Sequence, residues 1–182
     1  MMSYRGLLVL LPGLACFLGF SWGTLRHFRS IGPMPLGMRL IGTISICAMA
    51  MFTWLVFSAP LSAFWPVASL LSMGSLALFI WTVRTTRDEG FALAFAGAQS
   101  PRLLTSGPFH YVRHPFYTSY LIFWFATYLA TLSSLSLVGL VVLLVCYIVA
   151  ARDEERLMSS GRLAATYANY TLKVGMFLPR WT

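Results

Sequence analysis

Long stretches without a charged residue alternate with short polar ones along this chain. Residues 6–25 carry no charge over 20 positions, residues 40–58 none over 19 and residues 61–83 none over 23. At ~1.5 Å per residue, each is long enough to cross a hydrocarbon core of ~30 Å. Residues 115–151 form an uncharged run of 37, too long for one span. Ser133 and Ser134 lie near its middle, so the pattern predicts two spans, 116–132 and 135–151, joined by a tight turn. Backbone polar groups in lipid must be satisfied within the segment, which makes these runs helices. Barrel strands would instead alternate apolar and polar positions over ~10 residues. The first run continues past Cys16 and reads as an uncleaved span rather than a signal peptide. Pro12 and Pro66 are expected near helix starts, where a missing N–H is tolerated. Ala15, Gly19 and Gly23, four residues apart, form a small-residue stripe suited to close helix contact. The expected fold is all-α: a polytopic membrane protein of about five transmembrane helices, the last two forming a helical hairpin.

Composition supports this reading and narrows it. Apolar residues make up 58% of the 182 and charged residues 10%, with a mean hydropathy of +0.75. A soluble domain covers itself with ~25% charged residues. Disordered chains are poor in apolar residues, so disorder is excluded as well. The net charge of +8 does not point to nucleic acid, because the bases are scattered in short pieces between apolar runs. Cys16, Cys47 and Cys146 are far apart and form no CxxC pair, which favours neither a disulfide framework nor zinc.

The bases do set an orientation. With five spans, the side holding the N-terminus and the turns near 58–61 and 133–134 carries only Arg5. The opposite side carries the other twelve bases, including Arg26, Arg39, Arg84, Arg113, Arg152 and Lys173. Basic residues concentrate on the cytoplasmic side. The N-terminus is therefore expected outside and the C-terminus in the cytoplasm. Residues 1–83 read as three membrane helices, and residues 84–182 as a functional part made of a loop, the hairpin and a tail.

Two polar stretches carry candidate chemistry. The loop ends in Leu103-Leu104-Thr105-Ser106-Gly107-Pro108-Phe109-His110-Tyr111-Val112-Arg113-His114-Pro115-Phe116-Tyr117. Gly107-Pro108 forces a turn, and Pro115 suits the first turn of a helix. Arg113 and His114 stand at that helix mouth, where free N–H groups favour an anion. Basic and aromatic residues also mark membrane interfaces, and that reading stands beside the first. His110 and His114 are four apart, but Pro115 interrupts a helix through them and no third ligand is near, so no metal is expected. The second stretch, Arg152-Asp153-Glu154-Glu155-Arg156, follows the fifth span and holds three of the chain's five acids. Acids beside a helix C-terminus oppose its dipole, so local helix physics does not ask for them. A solvated cluster neutralised by Arg152 and Arg156 is the alternative. In the tail, Leu163, Tyr167, Tyr170 and Val174 recur at helical spacing and could lay it over the loop.

Taken together, LLTSGPFHYVRHPFY, the hairpin, RDEERL and the tail tyrosines up to Pro179 resemble the isoprenylcysteine carboxyl methyltransferases and the related phospholipid methyltransferases. The resemblance covers about residues 101–180. It implies a membrane-embedded methyltransferase that uses S-adenosylmethionine and acts on a lipophilic or lipidated acceptor, most simply a prenylcysteine-like carboxylate. It implies that Leu103, Leu104, Phe109, His114, Pro115, Phe116, Tyr117, Glu154 and Glu155 contact the cofactor. Arg152 and Arg113 would act at the acceptor carboxylate, which an arginine fork orients well. The chain departs from the family pattern at Ser119, where glycine is usual, and at Leu163-Ala164, where Phe-Gly is usual. Its glutamate pair also stands one residue further from the first tail tyrosine. An NADPH-dependent membrane reductase of the sterol type and a non-catalytic membrane scaffold are the competing readings.

Overall fold

The computed structural model describes residues 4–27, 34–87 and 103–180. Arg29, Arg102 and the loop portion 88–102 lie outside the described residues. The fold is all-α. Helix α1 (Tyr4–Trp22) ends in a π-helical turn, Gly23–His27. Helices α2 (Leu36–Ser58), α3 (Trp65–Thr86), α4 (Pro115–Thr131) and α5 (Ser134–Ser160) follow, then the short α6 (Ala164–Lys173). A 3-10 turn, Gly107–His110, precedes α4.

Among the described residues, four helical segments are long and apolar enough to cross a membrane: Tyr4–Arg26, Leu36–Ser58, Trp65–Thr86 and Ser134–Ser160. Helix α4, at 17 residues, is shorter. It is also the central helix, packing on α1, α2, α3 and α5, and most extensively on α3. Its buried face runs through Phe116, Ser119, Phe123, Trp124, Thr127 and Ala130. Helices α4 and α5 pack together across a turn at Leu132, whose φ is +47°, and Ser133, whose hydroxyl accepts the Leu135 N–H at 3.3 Å.

The side chains are sorted for an apolar solvent. Ser72, Ser75, Thr82, Ser119 and Thr127 are buried, whereas Leu18, Ile46, Leu70, Val138, Val145 and Val149 are exposed. Buried and half-buried hydroxyl and thiol groups bond to backbone carbonyls and join helices. Ser75 Oγ donates to the Ser119 carbonyl at 2.6 Å, Ser69 Oγ to Leu8 at 3.0 Å, and Cys16 Sγ to Ser72 at 3.0 Å. Such bonds and small-residue contacts join helices where lipid removes the hydrophobic drive. The small-residue stripe is used in part: Gly19 and Gly23 meet Leu76 and Phe79 on α3, while Ala15 is exposed. An added Cβ at Gly23 would come 2.6 Å from Phe79.

Two details of the sequence reading change. Pro12 lies well inside α1 rather than at its start. Pro66 does sit in the first turn of α3. Helix α5 continues beyond the apolar run to Ser160, taking the acidic triplet into the helix. Arg, Glu, Leu and Met are good helix formers, so the helix propagates after its apolar surface ends.

The two ends of the bundle differ. At one end, the 59–64 turn is tied to the end of α4: Ser62 N–H donates to Ala130 O at 2.9 Å and Ser62 Oγ to Leu129 O. At the other end lie the π turn, the start of α4 and the end of α5. Phe123, fully buried between Phe20 and Trp124, anchors the centre. Phe123→Ala should lower stability by about 3–5 kcal/mol, and Ser75→Ala by only about 0.6 kcal/mol. Unfolding in detergent micelles checks the order, and an equal or larger loss for Ser75→Ala would contradict this packing.

Candidate active site

The continuation of α5 is what builds the polar site. One helical surface carries Glu154 and Glu155 past the apolar segment to face the start of α4. Pro115 occupies the first turn of α4, and His114 is its N-cap residue. That short stretch delivers three donors to the two acids. Arg113 Nε donates to Glu155 Oε1 at 2.8 Å, and His114 Nε2 lies 3.0 Å from the same oxygen. His114 Nδ1 lies 3.5 Å from Glu154 Oε2, and the Tyr117 hydroxyl donates to Glu154 Oε1 at 2.5 Å. Glu155 is the more enclosed acid, with 18% of its side chain exposed against 38% for Glu154. Glu154 therefore keeps acceptor capacity open to a ligand.

Aromatic faces extend this cluster toward the core of the bundle. His114 stacks on Tyr117 with centroids 5.6 Å apart, and Tyr117 stacks on Tyr147 of α5 at 5.4 Å. Tyr120 leans on both tyrosines, at 6.3 and 5.6 Å.

The tail is laced to the same stretch. Arg113 Nη1 donates to the Val174 carbonyl at 2.6 Å. Backbone N–H groups of Arg113 and His114 donate to Gly175 O and Met176 O at 2.8 and 3.1 Å. Thr118 Oγ1 donates to Phe177 O, and the Phe177 ring lies 6.0 Å from that of His114. Gly175 is required here, because a Cβ would fall 2.0 Å from the Leu178 carbonyl oxygen. The Tyr170 hydroxyl donates to Phe109 O at 2.5 Å. Burial pushes that hydroxyl up to about 12, so it remains a donor at neutral pH. Gly107 adopts a φ of +58° and packs on Thr85 of α3.

The sequence-predicted residues divide into two groups. Arg113, His114, Tyr117, Glu154 and Glu155 share one network. Pro115 shapes the helix start, and Phe109 is buried beneath the tail. Phe116 turns into the core, 5.7 Å from Phe79. Leu103 and Leu104 are half-buried in the segment entering the Gly107 turn. Arg152 is exposed and makes no bond to the network. The expectation that the acids crowd a helix C-terminus is corrected, since they lie more than a turn before the end of α5. Ser119, in the place of the usual glycine, is fully buried; its hydroxyl donates to Phe116 O and its carbonyl receives Ser75. Ala164 begins α6. Tyr120, Tyr147 and Phe177 were not foreseen. Tyr147 lies seven residues before Glu154, a spacing that shares one face once α5 is read as a single helix.

Burial by itself would push the His114 imidazole down, but hydrogen bonds and charge from Glu154 and Glu155 outweigh it and raise its pKa above 6.5. A raised native pKa stabilises the fold fully below the unfolded value, and that contribution disappears as pH rises through the native value. Thermal stability in detergent should therefore decline upward from pH 6.5, and His114→Gln should flatten that slope. Parallel slopes for the two proteins would exclude the imidazole as the titrating group.

Comparison with known proteins fits this geometry. No curated protein matches the chain in sequence. A family model described as phospholipid methyltransferase matches residues 66–161, just over half of the chain. The matched region starts in α3 and stops at the end of α5, so it includes a helix that the motif resemblance left out and omits the tail. With the match spanning both halves of the acid–histidine cluster, the chain belongs to the phospholipid methyltransferase family, a family of membrane methyltransferases.

Proposed function

We propose that the protein transfers a methyl group from S-adenosylmethionine to a lipophilic acceptor in the bilayer, at a site facing the cytoplasm. On this reading all five long helices cross the membrane, α4 as the shielded central span. Residues 84–182 form the catalytic part and residues 1–83 support it. The observation that carries the proposal is the convergence of His114 and Tyr117 on Glu154 at the base-rich end of the bundle.

The side chains suit this cofactor. The open Glu154 carboxylate can accept from an ammonium or a ribose diol, and the stacked faces of His114 and Tyr117 can receive a flat base. Glu155 orients His114 and Arg113. Phe109, Leu103 and Leu104 supply apolar walls, while Pro115 and Phe116 fix the helix start beneath them. When bound, S-adenosylmethionine supplies an electrophilic methyl group that is displaced directly onto a nucleophile. The chain's task is alignment, because displacement requires the reacting atoms ~3–3.5 Å apart and in line.

The acceptor follows from which cations remain available. A carboxylate acceptor was assigned to Arg113 and Arg152. Arg113 already spends Nε on Glu155 and Nη1 on Val174, and Arg152 points outward. This favours a lipid amine, which loses its proton to water and in its neutral form supplies the nitrogen lone pair that takes the methyl group. Glu154→Gln and His114→Ala should each weaken binding of S-adenosylhomocysteine at least tenfold in calorimetry, while NADPH should give no signal with the wild type. Wild-type affinity in both variants, or NADPH binding instead, would overturn the site assignment. Radiolabelled methyl transfer into membranes then tests the acceptor: an amine product keeps its label in alkali, whereas an ester releases it.

A further inference from the structure

The tail has an outer surface that the proposed chemistry does not use. Residues 161–180 contain three bases, Arg162, Lys173 and Arg180, and no acid. Helix α6 buries Tyr167 and exposes Ala165, Ala168 and Leu172 at helical spacing. Leu172 is 69% exposed and Leu178 77%, as open as outward-facing leucines of the long helices such as Leu18 at 65% and Leu70 at 67%. Arg180 Nη1 donates to the carbonyls of Thr171 and Leu172 at 3.0 and 2.9 Å, which folds the chain end back on α6. The acids nearest in sequence are Asp153, Glu154 and Glu155 on α5, and the two glutamates are turned toward Arg113, His114 and Tyr117.

The level of this surface is marked independently. Trp81 and Tyr111 are both exposed, with rings 6.2 Å apart, and Arg84 follows in the next turn of α3. Exposed tryptophan and tyrosine next to a base mark the headgroup level of a span. Tyr170 of α6 bonds the carbonyl of Phe109, two residues from Tyr111, so α6 hangs from the same level. Leucines with adjacent bases and no acid are complementary to a negatively charged headgroup layer.

We propose that α6 and the turn after it dock on anionic phospholipid headgroups of the surrounding leaflet, with Leu172 and Leu178 inserted and Lys173 and Arg180 facing lipid phosphate. This surface is separate from the proposed cofactor contacts, and its test needs no methyl transfer. Among the native cysteines Cys16 is buried, Cys47 exposed and Cys146 half-buried. Leu178→Cys, made with Cys47→Ser and Cys146→Ser, takes a fluorophore and is placed in nanodiscs of phosphatidylcholine with or without one third phosphatidylglycerol. Nitroxide on the lipid headgroup should quench the label at least twofold more in the anionic discs. Each base near an anionic surface favours docking about fivefold, so adding Lys173→Glu should remove most of that difference. Equal quenching in the two discs, an unchanged difference with Lys173→Glu, or quenching only by a water-soluble nitroxide would each overturn the proposal. Loss of S-adenosylhomocysteine binding with lipid quenching intact would count against the cofactor reading alone.

Discussion

Two adjacent carboxylates stand where α5 leaves its apolar environment, and the polar end of the bundle is organised around neutralising them. A carboxylate as enclosed as Glu155 is tolerated only with its charge matched and its oxygens bonded. Arg113 and His114 meet that demand, and Tyr117, three residues on, bonds the neighbouring Glu154. Pro115, between them, starts α4 at the point that keeps Arg113 and His114 off the helix axis and puts Tyr117 on it. The arrangement has a consequence for the tail. Arg113 reaches Val174 with its second donor, so the group that neutralises Glu155 also holds the chain end in place.

Much of the fold could be read from uncharged runs, because in lipid a helix must keep its charges at its ends. The errors share one cause. Hydropathy reports where a helix is apolar, while backbone bonding decides where it is helical. The apolar run ends at Ala151, yet α5 continues because Arg152 to Met158 are residues that favour helix. The misplacement of Pro12 has the same root, since proline within a packed membrane helix is tolerated where neighbours satisfy the freed group. At the site, His114, Tyr117 and the glutamates were legible as a motif. The employment of Arg113 was not, because its carbonyl partner depends on the Val112–Gly175 bridge. Nor was Tyr147, whose alignment with Glu154 appears only when the helix is unbroken.

The bundle holds this end in register by an inversion of soluble-protein packing. Leucines and valines face outward, while the interior is filled by aromatic side chains such as Phe20, Phe79 and Phe123 together with hydroxyls that bond neighbouring backbones. Ser119 shows how a serine is accommodated in the packed face of α4. Its hydroxyl bonds within α4, and its carbonyl receives Ser75 from α3, close to where α4 presents Tyr117 and Tyr120. The serine thus becomes part of the most extensive helix contact among the described residues, that of α3 with α4, rather than an intrusion into the polar cluster.

The proposed reaction, between a water-borne cofactor and a lipid-borne acceptor, needs a site that touches both media without mixing them. The stack of His114, Tyr117 and Tyr147 runs from the carboxylates toward the helix core, giving the cluster one polar edge and one aromatic edge. Residues 174–177 border the polar edge, held by Arg113, His114 and Thr118. The same segment leads directly to Leu178 and Arg180, which belong to the proposed lipid-facing surface. Gly175 is the hinge point of that continuity, since no larger residue fits against the Leu178 carbonyl. A tail seated on the leaflet would therefore carry the position of the headgroup layer to His114 through the backbone itself. Chain connectivity then couples the membrane surface to the wall of the site, with no moving domain required.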